Sequence, residues 1–279
     1  MKTLFTLALL LTSFISHGQR FGKTLKETPG VVSYTYRVEL GKDAPAALDQ
    51  IRKEGITNIE LSNLFGKTAT EFRQLLDERG MRCTSYGVGY NDLAEKLDEV
   101  IANAKILGAE FVRIAWIPHT APFTLEVAQA AVDLFNAAGK KMKEQGLMFC
   151  YHNHGYEFIP HGNGTFFDFI VENTDPAYVG FEMDIMWTAL PGQDPAALLK
   201  KYPNRFYLMH IKDMRKGMEP NNTGRAQQTD VVPIGTGALD IKGIMKAARK
   251  TNIKYYYIED EHPEAAKQVP LSLQYLKTI

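Results

Sequence analysis

Four stretches of the chain repeat one hydrophobic–polar pattern: an amphipathic run, a glycine, then a short apolar run. They cover residues 51–61, 75–86, 104–116 and 142–154. In residues 91–108, Leu93, Leu97, Val100, Ile101 and Ala104 recur at helical spacing with charges between them. Asn91 or Asp92 is placed to cap the start of that helix, and Gly108 follows its end. Glycine suits the left-handed position that closes a helix. The apolar run after each glycine reads as a strand buried on both faces.

Apolar runs of the same kind occur at 31–37, 178–184, 205–211 and 254–260. Strands that alternate with helical segments pair in parallel, because each crossover is long. Eight such units in 279 residues predict an α/β fold, a single-domain (β/α)8 TIM-type barrel, whose usual size is ~250 residues. A doubly wound sheet is the alternative. It would carry a Gly-rich loop after the first strand, and residues 33–45 hold none. The polar segment 215–237, rich in Gly, Asn and Pro, falls between the seventh and eighth strands. A segment of that length is a lid, a binding loop or a disordered connection.

Composition changes this picture little, except at the N-terminus. A formal net charge of zero offers no basic face for nucleic acid. The opening residues place Lys2 before an apolar core at 4–11, with small residues at Ser16 and Gly18. That is the pattern of a secretory signal over 1–18, cleaved before Gln19. Its core is too short for a membrane span, which takes roughly 20 residues. The mature barrel is then 19–279, periplasmic or extracellular, and its substrate an unphosphorylated small molecule. Cys83 and Cys150 both fall in strands and are expected as free, buried thiols.

Catalytic groups of such barrels sit at the C-terminal strand ends. There the fifth strand supplies His152, His154 and Glu157, and the sixth Glu182 and Asp184. The seventh supplies His210, Lys212 and Asp213, and the eighth Glu259, Asp260 and Glu261; the second adds Glu60. Carboxylates converging on one mouth repel unless a cation lies among them. One ligand per strand gives Glu157, Asp184, His210 and Glu259, a set suited to Mn²⁺, Mg²⁺, Co²⁺ or Zn²⁺. Structural ion pairs with Lys and Arg are the other reading.

The motifs "YHNHGYEF", "FEMDIMW", "HIKD" and "YYYIEDE" resemble, in order and spacing, the xylose isomerase-like barrel superfamily, often labelled sugar phosphate isomerase/epimerase. "YTYR" and "GITNIEL" fit as its first two strands. The resemblance implies one divalent metal held by Glu157, Asp184, His210 and Glu259. It also shows a departure: many members carry the first glutamate ligand within the fifth strand, where this chain has His152. Glu157 is taken as the ligand, with His152 as its substitute.

Such a metal would polarise a sugar carbonyl and acidify the neighbouring C–H. Glu259 and Glu157 are the candidate base and acid. Lys212 lies two residues past His210 on the same strand face and, with His154, is a second catalytic candidate. His152, Trp116, Trp187 and Glu60 are expected on the substrate; Tyr34, Tyr36 and Arg37 are weaker rim candidates. The expected activity is isomerisation or epimerisation of a free sugar, with a lyase or hydratase acting on 3-keto glycosides as the alternative. A non-catalytic sugar-binding protein is the third reading. Oligomeric state is open, a homo-oligomer included.

Overall fold

The computed structural model describes residues 21–25 and 27–279. The expected signal sequence and its cleavage point lie outside them. Eight parallel strands close into a barrel. They are β1 (Gly30–Val32), β2 (Asn58–Leu61), β3 (Arg82–Gly87), β4 (Phe111–Ile114), β5 (Met148–His152), β6 (Val179–Asp184), β7 (Phe206–Ile211) and β8 (Tyr255–Ile258). Each pairs in parallel with its sequence neighbours, and β8 closes on β1. Among the described residues no helix is long and apolar enough to cross a membrane.

The period of two along each strand divides the core. Val112, Ile114, Phe149, Tyr151, Phe181, Met183, Met209, Ile211 and Ile258 belong to one large cluster with the helices. The alternate set, Val32, Phe111, Cys150, Leu208, Tyr255 and Tyr257, forms a separate apolar cluster. Two residues further along four of those strands, the same alternation brings Arg113, His152, His210 and Glu259. The lumen is thus apolar toward the strand starts and ionisable toward their ends. Gly30 makes room for this filling, because a Cβ there would meet the Tyr257 ring at 2.7 Å.

The glycine-closed helices are present as expected. Gly108 caps the helix Leu97–Leu107 at φ 75°, and Gly146 takes φ +79° after the helix Leu125–Glu144. Two boundaries differ. The helix expected over 91–107 is two, Tyr90–Glu95 and Leu97–Leu107, broken at Lys96 with φ −130°. The first strand stops at Val32 and turns into a 3-10 helix, Ser33–Tyr36. Ser33 Oγ accepts from Ser62 N at 2.7 Å and pairs with Ser62 Oγ at 2.8 Å, which ties the turn to the end of β2. Cys83 and Cys150 are free and buried.

Candidate active site

The ionisable lumen has two levels. In the lower one the Arg113 Nε donates to Glu60 Oε1 at 2.7 Å and lies 3.3 Å from Glu182 Oε2. His210 Nε2 lies 2.8 Å from the same Glu60 oxygen and 3.1 Å from the same Glu182 oxygen. All four side chains are buried. Burial pushes the Glu60 carboxyl up, but Arg113 and His210 outweigh it and hold the group ionised. Burial and the Glu60 charge push Glu182 the other way. Glu60, Glu182 and His210 lie close enough to share a metal. Their cation, however, is the guanidinium already between them.

The upper level has no such built-in cation at its centre. Potential ligand atoms of His152, Asp184 and His210 all lie within 4.8 Å of one another. His210 Nδ1 faces Glu259 Oε2 at 3.4 Å and Asp184 Oδ2 at 3.9 Å. Both His210 Nδ1 and Asp184 Oδ2 are buried without a hydrogen-bond partner. Buried polar atoms rarely stay unpaired, so this convergence fits a cation. The second nitrogen of each histidine supports it. His210 Nε2 rests on Glu60, and His152 Nδ1 on Glu182 Oε2 at 3.2 Å. A carboxylate behind a ligating imidazole fixes its orientation. Burial pushes the Asp184 carboxyl up, against Lys212. It also pushes Glu259 up, but Lys212 and His210 prevail and hold it well below the usual range.

Local hydrogen bonds aim these groups. Asp184 ends β6 and caps the helix Ile185–Ala189, its Oδ1 accepting from Trp187 N at 2.9 Å, which turns Oδ2 inward. Asn153 Oδ1 accepts from Asp184 N at 3.0 Å, and Asn153 Nδ2 donates to Asp184 O and to Thr188 Oγ1 at 3.1 Å each. Lys212 Nζ donates to Glu259 Oε2 at 3.0 Å and also binds Glu261.

A cavity of about 620 Å³ opens above the upper level, lined in part by Trp116, Trp187, His152, His154, His210 and Glu259. The His154 ring stacks on Trp187 at 4.5 Å and 21°, and stands edge-on to Trp116 at 5.2 Å. Burial, with help from Lys212, pushes His154 down to about 4, so it is neutral at pH 7. Within the segment 215–237, Gly224, Arg225, Ala226 and Gln227 form part of the cavity wall.

Two expected site residues lie apart from the cavity and its converging ligands. Glu157, expected as a metal ligand and as base or acid, does not join the converging group. It sits in a 3-10 turn, Tyr156–Phe158, after β5. There its Oε1 accepts from Tyr151 OH and from His154 N, both at 2.8 Å. Tyr151 is an outward residue of β5 that packs on Phe135 of the helix Leu125–Glu144, so Glu157 is drawn toward the helical layer. Burial lifts its carboxyl to about 7. Glu60, expected on the substrate, is fully buried under Arg113 and His210 and does not line the cavity. Of the weaker candidates Tyr34 lines the cavity, whereas Tyr36 is buried with its hydroxyl on Glu54 at 2.6 Å.

Arg113, Asn153 and Arg225 were not singled out by sequence reasoning. Arg113 carried a usable signal, a lone charge inside the apolar run "FVRIAW". Asp213 proves to be a loop anchor. Its carboxylate accepts from Gly235 N and Gly237 N at 3.0 Å each and from Leu239 N at 3.2 Å.

A family model described as xylose isomerase-like TIM barrel matches residues 48–279. An inosose dehydratase of Lacticaseibacillus casei is 22% identical over 262 aligned residues, covering 83% of this chain and 87% of that protein. A sugar phosphate isomerase/epimerase structure from Parabacteroides distasonis ATCC 8503 is 25% identical with a TM-score of 0.71, covering 89% of this chain and 93% of that one. The structure of the IOLI protein with a bound zinc atom is 15% identical with a TM-score of 0.67, covering 88% and 95%; it shares the fold.

Proposed function

We propose, from the premise that this chain belongs to the xylose isomerase-like TIM-barrel family, that it is a divalent-metal-dependent carbohydrate enzyme that removes a proton from a carbon next to a carbonyl. The observation that carries this reading is the pair of orphaned buried atoms, Asp184 Oδ2 and His210 Nδ1, converging with Glu259 and His152 beneath an aromatic cavity. His152, Asp184, His210 and Glu259 are the residues that would hold the ion, Mn²⁺, Co²⁺, Mg²⁺ or Zn²⁺ by donor type. When bound it supplies polarisation of a carbonyl oxygen and acidity at the adjacent C–H.

The chain's own residues do the rest. Glu259 is ionised, lines the cavity and has Lys212 on its Oε2, so its other oxygen is free to take the proton. His154 is neutral and lines the cavity, so it can hold a hydroxyl or pass a proton on. Trp116 and Trp187 give flat apolar walls for a sugar face. Returning the proton to the neighbouring carbon gives an isomer, and returning it to the opposite face of the same carbon gives an epimer. Expelling a β-hydroxyl as water gives a dehydratase, a reading favoured by the inosose dehydratase relative. The composition of residues 1–18 supports export, where unphosphorylated sugars are met.

The direct test is solvent deuterium uptake with metal-loaded protein over a panel of ketoses and keto-polyols, read by mass spectrometry. One deuteron per product, placed next to the carbonyl carbon, is expected. Turnover of substrates deuterated next to the carbonyl, with the label kept on its original carbon and the configuration there unchanged across the whole panel, would sink the reading. The ligand set has its own test in metal content after dialysis. His152→Ala is expected to weaken metal retention at least about tenfold, and Glu157→Gln to leave it near wild type. The reverse pattern would restore Glu157 as the ligand.

A further inference from the structure

The ionic groups that line the cavity, apart from its histidines, are Arg113, Arg225, Glu259 and Glu261. Three of them are paired inside the protein: Arg113 with Glu60 and Glu182, and both glutamates with Lys212. Arg225, an exposed residue at the cavity mouth, is the exception. Among the described residues its guanidinium has no carboxylate and no hydrogen-bond acceptor, and it lies over the Trp116 ring at 5.8 Å. We infer that Arg225 receives a carboxylate of the substrate, so that the preferred sugar carries an acid group on the side of its ring facing Trp116.

This rests on the carbohydrate reading above and narrows it to acidic sugars. The backbone that carries Arg225 is held in place. Gly224 is buried at φ +67°, and a Cβ there would meet Tyr156 Cδ1 at 2.9 Å and His154 O at 3.0 Å. Thr223 Oγ1 accepts from Arg225 N at 3.2 Å, and Asn221 N donates to Leu190 O at 3.0 Å. Gln227 N donates to Asp230 Oδ2 at 2.9 Å, and Asp230 Oδ1 pairs with Arg215 at 2.6 Å. A guanidinium on a hydrogen-bonded loop, within cation–π reach of an indole, can offer its two-pronged fork to a planar anion.

A phosphate ester would ask for a different site. Barrels of this kind often bind phosphate with backbone N–H groups of the loops after the seventh and eighth strands. Here Gly235 N, Gly237 N and Leu239 N are already taken by the Asp213 carboxylate. A second anion there would meet that charge. The carboxylate, a single planar charge matched to one guanidinium, fits what remains.

The test is calorimetric binding of D-glucuronate, D-glucose and glucose 6-phosphate to the metal-loaded full chain and to Arg225→Met and Arg225→Lys. Wild type is expected to bind glucuronate about tenfold more tightly than glucose. That ratio should fall to about one in Arg225→Met and be partly kept in Arg225→Lys. Equal affinities in wild type overturn the inference. So does a preference that survives in Arg225→Met, which would place the carboxylate on the metal, and so does tighter binding of glucose 6-phosphate. If none of the three binds, the carbohydrate reading falls with it; if glucose and glucuronate bind equally, only the role of Arg225 falls.

Discussion

Glu259→Gln is expected to lower kcat about 10³-fold with the fold intact, the usual scale for a lost general base. Glutamine keeps the shape of the side chain and an oxygen for Lys212, which also has Glu261 as a partner. It removes the ionised carboxylate that Lys212 and His210 stabilise and that faces the cavity. A base that acts in the transition state shows its loss in kcat more than in KM. The measurement is steady-state turnover at saturating sugar, with metal content checked in each preparation. A metal-replete Glu259→Gln protein with near wild-type kcat would remove Glu259 from the chemistry.

Arg113→Met is expected to be the most destabilising single change at the site, by about 3–5 kcal/mol at neutral pH. Methionine fills much of the volume but leaves Glu60 and Glu182 buried together with His210 alone between them. The guanidinium touches both carboxylates in a lumen where neither reaches water. Chemical denaturation monitored by circular dichroism gives the value. The mechanism predicts a rescue: adding Glu60→Gln and Glu182→Gln to Arg113→Met removes the uncompensated charge and should recover part of the loss. A change below about 1 kcal/mol in Arg113→Met would mean that His210 alone balances the pair, contrary to the usual cost of breaking a buried ion pair.

How far the site was legible in the sequence depended on the element. Asp184, His210 and Glu259 follow from strand ends, because period-two alternation fixes which residues face the lumen. The helix-closing glycines likewise set where strands begin. His152 against Glu157 was not decidable by counting. The chain leaves β5 through Gly155 at φ +102° and enters a 3-10 turn, so alternation stops before Glu157 is reached. Its carboxylate then finds Tyr151 OH and its own backbone neighbourhood. Glu60 misled for a related reason. Its place at a strand end suggests contact with substrate, but a register shift between Ile59 and Glu60 in the β2–β3 pair and the reach of Arg113 place it beneath the mouth. Arg225 lay in a polar loop whose path over Trp116 is set by contacts far apart in sequence.

Trp116 and Trp187 are the only two tryptophans in the chain, and both line the cavity. The protein's entire intrinsic indole fluorescence therefore originates at the candidate site. Each indole has a cation beside it, Lys212 at 5.3 Å from Trp187 and Arg225 at 5.8 Å from Trp116, with the His154 ring against both. Emission intensity and wavelength report directly on what enters there, so metal and sugar titrations can be followed on the unmodified chain, without a label.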